Sequence, residues 1–183
     1  GQWVNPDYLN DLVDYVNTLN FDLITLTGDY VSYNMEDYDI ALKSSFKKLK
    51  AKDGKYGILG NHDHWMGSEI IRDIFEKSDI IDLSNDVVRL SKGDDHLNLA
   101  GVDSCTVCAD NLDDVLAKLD ENCPTILLAH EPDFAKESSQ TGRIDFQISG
   151  HSHGGQFIIP KFETTPFRGP NSTKYPVGLY KVN

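Results

Sequence analysis

Ile144-Asp145-Phe146-Gln147-Ile148-Ser149-Gly150-His151-Ser152-His153 is an apolar run that ends in two imidazoles two residues apart. Glycine stands before the pair and again at Gly154 and Gly155, which lets the backbone turn sharply and lets a ligand come close. Alone, a His-x-His is a weak signal that suits a polar loop at a strand end equally well. Three other runs repeat the arrangement. Phe21-Asp22-Leu23-Ile24-Thr25-Leu26-Thr27 delivers Gly28-Asp29, Lys55-Tyr56-Gly57-Ile58-Leu59 delivers Gly60-Asn61-His62-Asp63, and Pro124-Thr125-Ile126-Leu127-Leu128-Ala129 delivers His130. Each run is short and rich in Leu or Ile, as a buried strand of an α/β sheet is. Each polar group follows the carboxyl end of its strand, where open α/β sheets place their ligand sites. Packing gives no reason for four such coincidences; a site does.

The segments between these strands read as further elements. Asn5-Pro6 has the chemistry of a helix start, cap then proline, and Leu9, Leu12, Val13, Val16 and Leu19 follow at helical spacing. The pattern predicts a second helix over 37–50, burying Tyr38, Leu42, Phe46 and Leu49, and a third over 68–77 with Ile70, Ile71, Ile74 and Phe75. Strands are predicted over 79–83, 87–90 and 96–102, a helix over 112–119, and strands over 157–160 and 178–182, with a long loop over 162–176.

The 183 residues, 39% of them hydrophobic, suit one domain spanning 1–183 with a sizeable core. An excess of 29 acidic over 17 basic residues gives a formal charge of -12, which opposes binding to a polyanion; no nucleic acid is expected as partner. No run approaches the roughly 18 to 20 apolar residues of a membrane helix, and no signal peptide is visible. Cys105, Cys108 and Cys123 cannot all pair within one chain, and Cys105-Thr-Val-Cys108 lacks the second pair a zinc knuckle needs. They read as ordinary buried or half-buried thiols.

Asp29, Asn61, His130, His151 and His153 form a mixed oxygen and nitrogen ligand set that suits zinc, iron or manganese. A carboxylate such as Asp29 can bridge two cations about 3.5–4 Å apart, an arrangement that serves in-line displacement at phosphorus. An asparagine oxygen is a weak ligand, so Asn61 in a Gly-Asn-His-Asp turn suggests a second metal needing charge balance. His62, beside a ligand but not one itself, is placed to give a proton to a leaving oxygen. Asp63 either hydrogen-bonds that imidazole and holds it protonated or is a loop carboxylate without a partner. His64 reads as an exposed loop residue and His96 as a surface one. Trp65 and Met66 either wall a substrate pocket or pack their loop; Trp3 borders the pocket or covers the core; Lys161 and Arg168 read as solvated.

In order and spacing, Gly28-Asp29, Gly60-Asn61-His62-Asp63, His130 and Gly150-His151-Ser152-His153 resemble the motifs of the calcineurin-like metallophosphoesterases, over nearly the whole chain. Leu59-Gly-Asn-His-Asp-His-Trp65, Leu99-Ala-Gly-Val-Asp103 and the Gly-Gly-Gln156 extension are similar to a largely bacterial subgroup that is often membrane-tethered or exported. The resemblance implies an α/β fold: a four-layer sandwich of two mixed β-sheets flanked by helices. It implies two divalent metal ions (Mn, Zn or Fe), with Asp29 bridging, Asn61, His130 and His151 on one metal and His153 on the other. His62 would contact phosphate and assist the leaving group, and a metal-bridging hydroxide would attack phosphorus in line. The implied substrate is a small-molecule or lipid-linked phosphate mono- or diester. Gly1 stands just before the Asn5-Pro6 helix start, so the family's Asp-x-His motif and first strand are expected upstream of it, and the last strands beyond Asn183. That expectation makes the stretch a partial domain, weakly active or inactive alone, and leaves membrane association or export to the upstream part. A non-catalytic scaffold of the same fold, or an amidohydrolase-type site, are the competing readings.

Overall fold

In the computed structural model, which describes residues 6–31, 39–154 and 169–182, the first half alternates helix and strand. It runs α1 (Pro6–Thr18), β1 (Ile24–Leu26), α2 (Asp39–Lys48), β2 (Lys55–Gly57), α3 (Asn61–Met66), α4 (Ser68–Lys77) and β3 (Ile80–Asp82). β1, β2 and β3 pair side by side in that order, all parallel. The second half builds another sheet, ordered β4 (Asp86–Lys92), β5 (Asp95–Gly101), β6 (Thr125–Leu128) and β7 (Phe146–Ile148). β4 and β5 form an antiparallel hairpin whose register closes at Lys92 and Asp95; Gly93, at φ 64, supplies the left-handed residue a two-residue loop wants. α5 (Leu112–Lys118) then crosses to β6, α6 (Ala135–Ser138) lies between β6 and β7, and both pairings are parallel.

Side-chain alternation sorts each strand between two neighbours. On β5, Leu99 packs with Tyr56, Ile58, Leu83 and Leu128 between the sheets, while Ala100 turns outward to Val115 and Leu119 with Leu127. The outer face of the first sheet meets α1, α2 and α4 through Val13, Leu42, Phe46, Ile71, Ile74 and Phe75. Ile71, Ile74 and Phe75 stand at i, i+3 and i+4 and are at most 1% exposed; burying each such side chain contributes about 1.5–3 kcal/mol. The layers therefore run helix, sheet, sheet, helix. This is the expected four-layer α/β sandwich, with the difference that the first sheet is wholly parallel over its described strands.

Several local expectations are corrected. Leu12 and Leu19 are 44% and 45% exposed; the inward stripe of α1 is narrower, with Val13 packed beside Leu9 and Val16. The run over 178–182 forms no strand: Gly178 takes φ 109 and the Tyr180 hydroxyl donates to Val177 O at 2.7 Å. The Gly60-Asn61-His62-Asp63 stretch is the start of α3 rather than a turn. The thiols of Cys105, Cys108 and Cys123 are free; Cys105 and Cys123 are half-buried as expected, and Cys108 is exposed. Trp3, Asn5, Tyr38, the strand expected over 157–160, Lys161 and Arg168 lie outside the described residues. Among the described residues no helix is long and apolar enough to cross a membrane.

Candidate metal centre

The carboxyl ends of β1 and β2 in one sheet meet those of β6 and β7 in the other. Glycines make the approach possible. A Cβ on Gly28, whose φ is 91, would stand 2.8 Å from Gly60 Cα and 2.8 Å from His130 Nδ1; one on Gly60 would stand 2.7 Å from His130 Cε1. Backbone lies against backbone and imidazole there, and no side chain fits between.

Asp29 follows Gly28 with φ 61, a left-handed conformation that costs a non-glycine residue about 1–2 kcal/mol. Asp63 holds it there. Asp63 Oδ2 accepts from Asp29 N at 2.8 Å and from Gly60 N at 2.8 Å, and Oδ1 accepts from Tyr30 N at 2.9 Å. The Gly60 bond is the N3 carboxylate reaching back to the N-cap amide of α3. Asp63 thus ties the β1 loop to the β2 loop, and its oxygens turn to backbone amides. This corrects the expectation that it orients the His62 imidazole or stands without a partner. Burial pushes its pKa up to about 6, against the lowering by the Gly60 and Asp29 amides; the nearby Asp29 charge adds to the rise.

The two buried-side imidazoles are locked by carbonyls. His130, 1% exposed, lies 2.6 Å through Nδ1 from Thr27 O. A carbonyl only accepts, so Nδ1 carries the hydrogen and Nε2 is the ligand-type nitrogen. Nε2 faces Asp29 Oδ2 at 3.2 Å and His151 Nδ1 at 3.1 Å. His151, at φ 61, gives its Nε2–H to Pro170 O at 2.8 Å, so its Nδ1 lone pair also points into the cluster. Asp29 Oδ1 meanwhile accepts from His62 N at 3.0 Å. One ligand atom each from Asp29, His130 and His151 lies within 4.8 Å of the others.

The electrostatics suit a cation. Burial pushes the Asp29 carboxyl up, but the His130 hydrogen bond and charge, with the His62 amide, more than offset it and hold it below its ordinary value. Burial likewise pushes His130 down, while the Asp29 bond and charge and the Thr27 carbonyl raise it overall. The proton so favoured between them is what a divalent cation displaces. Asn61, 2% exposed and next to Gly60, has a buried Oδ1 without a hydrogen-bond partner among the described residues. A buried amide oxygen left without a donor costs about 1–3 kcal/mol, and a cation would satisfy it. The donor set of carboxylate, amide oxygen and two neutral imidazoles therefore fits a borderline divalent metal.

The remaining expected site residues sit differently. His153 is exposed at φ 50, and no three-residue cluster among the described residues includes it. The His62 ring lies 4.8 Å from Trp65, which is 61% exposed. Trp65 therefore points out to solvent from α3, while Met66 packs on the core. A cleft of 820 Å³ opens beside Asp29, His151 and His153 and runs along β7 past Phe146 to Tyr175 and Leu179.

Sequence reasoning missed several buried polar and ionic contacts. His64, expected to be exposed, pairs through Nε2 with buried Asp103 at 2.6 Å, and Arg72 reaches Asp103 at 3.5 Å and Asp82 at 3.1 Å. Glu131, 1% exposed, accepts from Cys105 N and Thr106 N, both at 3.2 Å, and from the Ser104 hydroxyl at 2.5 Å. Burial pushes its pKa up, and those hydrogen bonds with the His130 charge bring it below the usual carboxylate range. A hint was available: Glu131 and Asp133 follow a candidate ligand at once, and Asp103 ends an apolar strand.

A family profile described as calcineurin-like phosphoesterase matches residues 3–155. An uncharacterized metallophosphoesterase of Helicobacter pylori is 32% identical over 163 residues, covering 86% of this chain and 43% of that protein. The uncharacterized metallophosphoesterase YkuE of Bacillus subtilis is 31% identical over 181 residues, covering 95% and 62%. The phosphodiesterase YaeI of Escherichia coli is 29% identical over 161 residues, covering 86% and 58%. The chain thus spans between 43% and 62% of the length of these relatives. Among solved structures, the NAD nucleotidase NadN of Haemophilus influenzae superposes with a TM-score of 0.52 at 17% identity, over 79% of this chain and 36% of that one. At that identity the likeness speaks for the fold alone.

Proposed function

The chain belongs to the calcineurin-like phosphoesterase family, and from that premise we propose that it hydrolyses a phosphate mono- or diester with divalent metal. One observation carries the reading. Two imidazole nitrogens, turned inward by carbonyls on the far side of each ring, converge with a carboxylate, beside a buried amide oxygen that has no donor among the described residues. Asp29, Asn61, His130 and His151 would hold one cation, and Asp29 with His153 would serve a second; Mn, Zn or Fe suits the donors. Bound there, a divalent cation lowers the pKa of water and neutralises charge developing on the phosphoryl oxygens.

The chain's own residues supply the rest. His62 is the proton donor to the leaving oxygen. Its backbone is fixed by the bond to Asp29 and its ring lies against Trp65. Asp63 positions Asp29 and Gly60 and does not touch the reacting atoms. The cleft, at 820 Å³, has room for a small-molecule or lipid-linked ester, and its polar end at His151 and His153 would face the phosphate. The net charge of -12 disfavours a nucleic-acid substrate.

The test is hydrolysis of bis(p-nitrophenyl) phosphate and p-nitrophenyl phosphate, with and without Mn²⁺ or Zn²⁺, by the full natural reading frame. Metal-dependent turnover is expected, falling roughly 10²–10⁴-fold in kcat for His62→Ala. Metal-independent rates, or a His62→Ala variant as active as wild type, would overturn the assignment.

A further inference from the structure

We infer that Asp133 is a positioning residue of the metal centre, acting through the strap 169–175 to hold the His151 ring ready for a divalent cation. The inference rests on reading His151 as a ligand.

The strap, Gly169-Pro-Asn-Ser-Thr-Lys-Tyr175, contains no helix or strand and one large apolar side chain. Hydrogen bonds hold it in place, and most of them end on one residue. Asp133 Oδ2 accepts from Thr173 N at 2.9 Å and from Thr173 Oγ1 at 3.0 Å; Oδ1 accepts from Lys174 N at 2.9 Å and Tyr175 N at 3.2 Å. Asp133 N in turn donates to Asn171 O at 3.0 Å. Gathering successive amides on one carboxylate folds the strap back on itself. Asn171 takes φ 60, and buried Ser172 donates to Gly169 O at 2.8 Å.

The strap's other end lies on the imidazole. Pro170 O is the acceptor for His151 Nε2–H, and a Cβ on Gly169 would stand 3.5 Å from the same nitrogen. Asp133 belongs to the turn Pro132–Phe134 that follows His130 and Glu131 directly. One turn therefore reaches both imidazoles, His130 through the chain and His151 through the strap. The carbonyl of Pro170 selects the tautomer that leaves His151 Nδ1 free to bind metal, as the hydrogen-bond partner of a ligand histidine does. Without the Asp133 carboxylate the amides of 173–175 turn to water, and Pro170 O is placed only by the weaker set that stays: Asp133 N on Asn171 O, Ser172 on Gly169 O and Asn171 Nδ2 on Thr106 Oγ1 at 3.3 Å among the described residues.

Asp133→Ala and Asp133→Asn are to be compared with wild type by calorimetric titration of Zn²⁺ and by long-range ¹H–¹⁵N NMR of the metal-free histidines, with a thermal melt as a check of folding. Asp133→Ala is expected to weaken Zn²⁺ binding roughly ten- to a hundredfold and to shift His151 from a fixed Nε2–H tautomer toward an average of both, leaving His130 unchanged. Asp133→Asn, with one acceptor oxygen left, should fall between and keeps the test usable if the alanine variant does not fold. Wild-type affinity in both variants overturns the proposal. So does weakened affinity with an unaltered His151 tautomer, since the effect then runs by another route. A His151→Ala protein that binds Zn²⁺ as wild type does would instead sink the reading of His151 as a ligand, and the role of Asp133 with it.

Discussion

His151 and His153 are two residues apart in one loop, yet they occupy opposite kinds of environment. His151 is part-buried, with one ring nitrogen taken by Pro170 O and the other aimed at His130. His153 is exposed and outside the cluster of Asp29, His130 and His151. Motif membership is the same for both; burial is not. What makes His130 and His151 ready is a carbonyl on the far side of each ring, from Thr27 and Pro170. A donor set fixed before its ligand arrives loses less freedom on binding, so the buried cluster around His130 should hold a cation tightly, and the exposed His153, outside that cluster, should add less.

The strongest test of that contrast is His130→Ala. It removes a buried donor from the preformed half and should lower Zn²⁺ or Mn²⁺ affinity by on the order of a hundredfold or more, read by calorimetry. Near-wild-type binding would break the comparison outright. Asp63→Ala acts on the frame rather than the ligands. It strips the acceptor from the amides of Asp29, Tyr30 and Gly60 and should cost about 2–4 kcal/mol of folding stability in urea melts. Asn61→Ala separates binding from stability. Metal affinity should drop about tenfold, while the metal-free protein, relieved of an orphaned oxygen, loses nothing or gains up to about 1 kcal/mol. His153→Ala sharpens the other side: the tight equivalent of metal should stay within about threefold of wild type, with only weaker equivalents lost. A drop as large as that of His130→Ala would show the two halves to be one unit.

The smallest effect concerns acid. Burial pushes the Asp133 carboxyl up, but the amides of Thr173, Lys174 and Tyr175 more than offset it, so its folded pKa lies below the ordinary 3.8. A lowered folded pKa means that the stabilisation is fully present above the unfolded value and is lost as pH falls through the folded one. Wild type should therefore lose a little melting temperature between about pH 4 and pH 2 that Asp133→Asn does not lose, and only a little, because the group is partly solvated.

The strand framework was legible because it rests on local pattern. Leu99 and Ala100 on β5, or Ile126 to Leu128 on β6, alternate between two apolar surroundings, and such runs identify themselves. Asp29, His130 and His151, which the fold brings together, were legible as candidates too, since each follows a strand end. What stayed hidden depends on partners distant in sequence. Asp63 looks like a catalytic neighbour of His62 until the amides of Asp29 and Tyr30, more than thirty residues away, claim its oxygens. The pairing of His64 with Asp103 spans 39 residues, and no spacing rule connects them. The inward stripe of α1 was overestimated for a simpler reason: Leu12 and Leu19 flank the line of Leu9, Val13 and Val16, and periodicity alone does not say how wide a buried stripe is.

The bond between His130 Nδ1 and Thr27 O joins residues 103 apart in sequence and belongs to both sheets at once. Thr27 follows β1 of the parallel sheet, and His130 lies just beyond β6 of the mixed one. Neither half alone, however well formed, presents Nε2 of His130 in the right place. Contacts of such long sequence separation form late, after loop closure has been met by collapse elsewhere. Zinc uptake should accordingly trail secondary structure during refolding, with a metal-sensitive dye reporting a slower phase than far-ultraviolet circular dichroism. A bound ion would favour only the fully docked molecule, and so would raise the global unfolding free energy rather than guard one loop.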